Sequence, residues 1–560
     1  MQYKLIVDDR NYESWKIYNF NSSQIDEIKL NINPLEHKLL SNDVFTFENN
    51  QANIIHSTTK MLKNIPGILI LKDGKSYGHY KNKLLYKLIP DDKRIPIFLI
   101  PYQIKVAFNK NNENKFILFK FDNWNDKHPI GTIENVIGSV IDLPCYFEYQ
   151  LFCKSLYSSI QNFTKEATKK VRNQELETIM DNIMTKYNII DRRDEEIITI
   201  DGENTLDFDD AISFHENKIS IYIANVPLWM EILGLWNSFS DRVSTIYLPD
   251  RKRPMLPTIL SENLCSLVQE SDKLAFNIDL ILENNEIKSV KYHNTRIRIK
   301  KNYIYDEKIL LKNKMYKKIL VQVEELNKKY NYVKNIVNSG DVITYLMILM
   351  NHFCANELIK FNCGIYRSVQ FINKNKILPD HNLPEGVQQF LKIWNSSVGS
   401  YTLFDNRKPH EIMEVESYTH ITSPIRRLVD MLNIIKLQDN LNLVVYSKDA
   451  HNFYDVWLNK LEYINTTMRS IRKVQTDCNL LDLFTNKEDI KKTIYQGYLF
   501  DKIERSDGLF QYMVYLDKLK MISRITMRHN KSNYEKMCFK VYLFEDEDTL
   551  KRKIRVNYID

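Results

Sequence analysis

The chain has 560 residues, which at about 150 residues per domain suggests three or four domains. Hydrophobic residues make up 44% and charged residues 27%, a balance that excludes wholesale disorder. The formal net charge of +7 suits a polyanion partner without requiring one. Only 13 residues are Gly, and no G-x-x-x-x-G-K-[ST] or G-x-G-x-x-G run occurs, which excludes the common phosphate loops. The seven cysteines include no C-x-x-C pair, so a zinc ribbon or disulfide scaffold is not expected. The N-terminal MQYKLIVDDRNYESW lacks the apolar core of a secretory signal, and no run of about 18 uncharged apolar residues is present. The expectation is an intracellular protein, cytoplasmic or nuclear, with no membrane partner.

In chain order, residues 1–45 show no clear period and are left unassigned. From about 46 the sequence becomes short apolar and aromatic runs broken by turn residues, such as GILILKDGKSYGHY (67–80), IPIFLIPYQIKVAF (95–108) and NKFILFKFDNW (114–124). Such runs predict two small β-barrels of the oligonucleotide-binding type, over 46–98 and 99–150. A polar segment, 151–188, carries Lys165, Lys169, Lys170 and Arg172 and reads as a linker helix. Strands return over 190–300 (EEIITID, KISIYIANV, FNIDLIL), and helical periods follow at 316–362 and 450–485. The tail, 490–560, is strand-like again and ends in the basic cluster Lys551, Arg552, Lys553 and Arg555.

The most informative stretch is IITIDGENTLDFDDAIS, 197–213. An apolar strand runs into Asp201, and Asp207, Asp209 and Asp210 follow at once. Four carboxylates so close repel one another, and a partly buried set needs a positive partner. Oxygen-only ligands favour a hard cation such as Mg²⁺, which takes one or two carboxylates together with water and phosphate. A calcium loop of the EF-hand type would need Gly and Glu where Leu206 and Ile212 stand. On spacing alone a solvated acidic turn is the alternative, but apolar residues flank the cluster on both sides.

The run TIDGENTLDFDDAI resembles the signature of the ribonuclease II / ribonuclease R (RNB) family of 3′→5′ exoribonucleases. Three further segments match in the family's order: STIYLPDRKRPMLPTILSENLCSL at 244–267, RIRIKKNYIYDEKI at 296–309 and YTHITSPIRRLVDML at 418–432. NWNDKHPIGTIENVIG, 123–138, resembles the end of the family's second cold-shock domain. The resemblance covers 95–490 firmly. It implies a multidomain α+β fold, in which a mixed α/β RNB catalytic domain, 189–489, is flanked by small OB-fold β-barrels. Two cold-shock-like barrels precede it and one S1-like barrel, 490–560, follows. The chain looks closer to the eukaryotic exosome-type members, although residues 1–45 are too short for their N-terminal endonuclease domain. The expectation is therefore exonuclease activity only.

The resemblance also implies roles. Asp201, Asp207, Asp209 and Asp210 would hold one or two Mg²⁺ ions, with Mn²⁺ able to substitute, and Asp209 is expected to be the most sensitive. Arg426 would clamp the scissile phosphate, with Arg427 beside it. Tyr247 and Tyr305 would lie against the 3′ end of single-stranded RNA, since an aromatic face stacks on any base. Read from the residues alone, Arg296, Arg298 and Lys300 alternate along a strand and so face one way, which suits either a groove that tracks the RNA backbone or a solvated strand face. Two positions depart from the family pattern. Gln475 stands where a Glu is usual, and Thr344-Tyr345 replaces an acidic pair before ILMN at 348–351, which puts contacts to the ribose 2′-OH in question. The leading expectation is a monomeric, hydrolytic, Mg²⁺-dependent 3′→5′ exoribonuclease releasing nucleoside 5′-monophosphates. The alternative is an RNB-fold protein that binds RNA with weak or no nuclease activity.

Overall fold

The computed structural model describes residues 1–20, 27–104, 112–172, 175–372, 383–546 and 550–559. The chain divides into two compact units, one of 1–157, 248–251 and 472–560, the other of 158–247 and 252–471.

The first unit holds three antiparallel-rich sheets. In the first, Trp15–Asn19, Gln2–Val7, Val44–Glu48 and Gln51–His56 lie side by side in that order. Leu5, Val7, Ile17, Leu39 and Phe45 form its core. The described residues of 1–45 therefore belong to this module rather than to an unassigned segment. Its apolar residues are divided between distant strands, which hides their period.

The second sheet has six strands between Ile65 and Ser139, and Ile65–Leu69 pairs with both Lys115–Asn123 and Lys83–Pro90. Lys83–Pro90 also pairs with Phe98–Tyr102, Leu84 opposite Tyr102. The boundary expected at 98/99 thus falls inside one sheet, because the polar stretch 91–94 is a turn within it. Residues 105–108 of the expected strand 95–108 lie outside the described residues. The tail forms a third, five-stranded sheet from Tyr495 to Ile559, with Leu499, Tyr512, Val514, Phe539 and Val541 in its core. Its basic cluster is partly paired within the unit: Lys551 with Asp91 of the second sheet and Lys553 with Asp546 of the tail.

Where one linker helix was expected over 151–188, three helices are found from 143 onward, Leu143–Cys153, Gln161–Arg172 and Leu176–Lys186.

The second unit is built on a closed five-stranded barrel: Ile190–Asp201, Asp210–His215, Lys218–Ala224, Asp272–Glu283 and Glu286–Ile304. Ile190–Asp201 closes it, running parallel to Glu286–Ile304 and antiparallel to Asp210–His215. The two-residue alternation of a strand explains the layering. In KISIYIA, Ile219, Ile221 and Ile223 join a core that also takes Tyr316, Ile319, Leu346 and Leu349 from two helices. Ser220 and Tyr222, on the opposite face, join a buried polar network around the Arg192–Asp279 ion pair, 2.6 Å.

The helical stretch expected over 316–362 is two helices, Lys314–Lys329 and Ser339–Lys360, the second started by an Asn338/Asp341 capping box. Ser339–Lys360 is long and apolar enough to cross a bilayer by composition, but it is the core helix of this unit, with Val342, Leu346, Leu349 and Leu358 buried. Tyr345, half of the departure noted above, points into this core, whereas Thr344 is exposed.

Candidate active site

Barrel closure determines where the acidic cluster sits. Asp201 ends one strand and Asp210 begins the next, so both lie at one end of the barrel with residues 202–209 looping between them. Asp201 pairs in register with Ile304, and the Tyr305 N–H donates to the Asp201 carbonyl at 3.0 Å. The same strand closure thus brings Tyr305 beside the cluster. The loop is pinned by Ser266, whose hydroxyl accepts from Phe208 N–H (2.9 Å) and donates to the Leu206 carbonyl (3.0 Å). The Asp209 carbonyl accepts from Ala224 N–H at 2.9 Å.

The side chains then divide into distinct settings. Asp209 is buried, and its carboxylate accepts from Ile425 N–H (2.9 Å) and from Arg426 Nε (3.0 Å). Arg426 also donates to Ser423 Oγ at 3.0 Å and leaves 46% of its side chain exposed. Asp430, fully buried in the first turn of the helix Leu428–Asn440, accepts from Ser423 N–H and from Arg427 Nη2 and so holds this segment in place. Arg427 is therefore turned toward Asp430. Asp207 is engaged at both oxygens, by Lys252 Nζ at 2.9 Å and by the Tyr247 hydroxyl at 3.1 Å.

Asp201, Asp207, Asp209, Asp210, Tyr247, Lys252, Tyr305 and Arg426 together line a cavity of about 520 Å³. Seven of the residues expected at the site meet in it. Arg298, exposed for about half its side chain, lies along the strand below. Arg296 does not join an RNA-facing surface. It is buried and committed to Asp272 (2.8 Å) and Asp181 (2.6 Å), because the neighbouring strand and a helix cover this part of the expected basic face. Gln475 is half-buried on the helix Leu461–Asn486 and belongs to the other unit. Lys252, Ser266 and Asp430 were not anticipated. Their only sequence signals were a basic run inside a longer motif and a carboxylate three residues after Arg427.

Electrostatics shows what this cavity lacks. Burial pushes the Asp201 carboxyl up to about 6 and that of Asp209 up to about 7, despite the opposing charge of Arg426. Burial, and then the charges of Asp201 and Asp209, drives Asp210 well above the ordinary carboxylate value. Asp201 Oδ2 is buried without a hydrogen-bond partner. Among the described residues no group of three or more Asp, Glu, His or Cys side chains is arranged to hold a metal ion by itself. The aspartates instead line an open cavity short of positive charge, which suits a hard cation that keeps water and substrate oxygens in its shell.

Comparison with known proteins bears on the family and the fold. Residues 189–329 match the RNB domain, and residues 85–146 match the Dis3-like cold-shock domain 2 (CSD2). The family resemblance read from the motifs is thus matched over these residues. Ribonuclease R of Mycoplasmopsis pulmonis is 31% identical over 248 residues, which is 40% of this chain and 34% of that protein. The alignment therefore spans about a third of this curated relative. Mycoplasma genitalium RNase R in complex with ribose methylated single-stranded RNA has a similar fold, with a TM-score of 0.72, 16% identity and all of both chains covered. Yeast Ssd1, a pseudonuclease, is also similar in fold, at a TM-score of 0.61 and 13% identity, over 96% of this chain and 80% of that one.

Proposed function

We propose that the protein is a metal-dependent, hydrolytic 3′→5′ exoribonuclease that acts as a monomer on single-stranded RNA and releases nucleoside 5′-monophosphates. The observation that carries this reading is the joining of Asp209 to Arg426 on the wall of a cavity lined by all four aspartates.

Asp201 and Asp210, with Asp209 beside them, would hold Mg²⁺, or Mn²⁺ in its place. When bound, the ion activates water and stabilises the leaving 3′ oxygen. The chain's own residues do the rest. Asp209 orients the Arg426 guanidinium, which meets the negative charge that develops at phosphorus. The exposed rings of Tyr247 and Tyr305 offer stacking faces for terminal bases without reading their identity. Asp207 holds Tyr247 in place through its hydroxyl.

A second reading has specific support: an RNA-binding protein of the same fold with weak or no hydrolysis. The fold is shared with a pseudonuclease, whereas Gln475, an amide that cannot accept a proton as a carboxylate does, does not line the cavity. The two readings are separated by incubating the protein with a single-stranded oligoribonucleotide in Mg²⁺ or EDTA and identifying products by chromatography. Nucleoside 5′-monophosphates in Mg²⁺ alone support the enzyme. Tight binding without products supports the second reading.

A further inference from the structure

The four aspartates are not equivalent in what neutralises them. Asp209 has Arg426 and a backbone amide. Asp207 has Lys252 at one oxygen and a phenol at the other, and only 10% of its side chain is exposed. Asp201 keeps a buried oxygen without a partner. Lys252 Nζ also lies 2.9 Å from Glu262, so its ammonium bridges two carboxylates while lining the cavity. Strand pairing explains the arrangement. Ile246–Tyr247 pairs with Lys252–Arg253, and Tyr247 sits directly opposite Lys252. One short β-ribbon therefore presents a phenol and an ammonium to a single carboxylate.

On the metal-dependent reading above, we propose that Lys252 is a fixed cation of the catalytic cavity that takes the place of a second divalent ion, so that the site works with one. An ion approaching Asp207 would have to displace both the ammonium and the phenol. It would also be repelled by the ammonium at close range, in a setting where partial burial limits screening. Asp201 and Asp210, which have no such cation against them, are left to a single ion. A merely structural Lys252, tying the ribbon to Glu262, would affect folding stability but not the number of ions bound.

The test counts Mn²⁺ bound to the full chain by electron paramagnetic resonance of the free ion, a readout independent of activity. One ion is expected for the parent and for Lys252→Arg, and two for Lys252→Gln, in which Asp207 is released. Two ions in the parent, or one in a folded Lys252→Gln, overturns the proposal. If Lys252→Gln does not fold, the parent's count alone decides between one ion and two. No bound ion in any of the proteins overturns the metal-dependent reading itself, and this proposal with it.

Discussion

At the residue scale, Asp209 accepts from both Arg426 and Ile425 N–H, so its charge and its shape can be separated. Asp209→Asn keeps an acceptor but loses the charge. Hydrolysis should fall by at least about 10²-fold, the range for loss of one preorganised electrostatic partner, while affinity for single-stranded RNA stays near the parent's. Single-turnover rates alongside equilibrium binding check this, and activity within a few-fold of the parent would contradict the assigned site. The raised carboxyls set a pH dependence. In the metal-free protein, groups raised to about 6 and about 7 favour folding in the protonated form. That contribution is complete below the unfolded value near 3.8 and is lost as pH rises through about 6 to 7. A divalent ion competes with those protons. Thermal melts should therefore show Mg²⁺ raising Tm more at about pH 8 than at about pH 5.5, and equal increments would contradict the account. The aspartates were legible because carboxylates seldom crowd beside an apolar strand. Lys252 was not, because nothing in a basic run tells which of its members turns inward. For Arg296, alternation gave the side of the strand but could not show that Asp272 and Asp181 cover it.

At the element scale, the site depends on a strand end, a strand start and the loop between them, all fixed by closure of one barrel. Ser266 is the clearest lever, since it bonds both Leu206 and Phe208 and is fully buried. Ser266→Ala leaves the Phe208 N–H without its partner and should cost about 1–3 kcal/mol of stability. It should also lower activity at temperatures where the variant is fully folded, because the loop carries Asp207 and Asp209. Denaturant melts paired with rates at low temperature test both parts, and a variant with parental activity would show that the loop holds its shape without Ser266. Strands were readable where one face is buried and the other polar, as in KISIYIA. The first sheet was missed because its pairing joins Gln2–Val7 to Val44–Glu48, with partners such as Lys4 and Val44 far apart in the chain. The break between Lys314–Lys329 and Ser339–Lys360 was missed because apolar residues continue through it.

At the scale of the whole molecule, the tail sheet has its own core, and the expectation that it binds RNA can be tested separately. Deleting 490–560 should weaken binding of long single-stranded RNA and flatten the dependence of affinity on salt, since fewer phosphate contacts release fewer counterions. Cleavage of short oligomers should persist. Filter binding at several salt concentrations measures this, and unchanged affinity at matched salt would contradict an RNA-binding role for the tail. The central claim is tested most directly by single-stranded RNA labelled at one end or the other and incubated with the full chain in Mg²⁺ or in EDTA. The account predicts, in Mg²⁺ only, mononucleotide released at once from 3′-labelled RNA and progressively shortened fragments from 5′-labelled RNA. RNA that is bound in both buffers and stays uncut in Mg²⁺, or that shortens from its 5′ end, would contradict it.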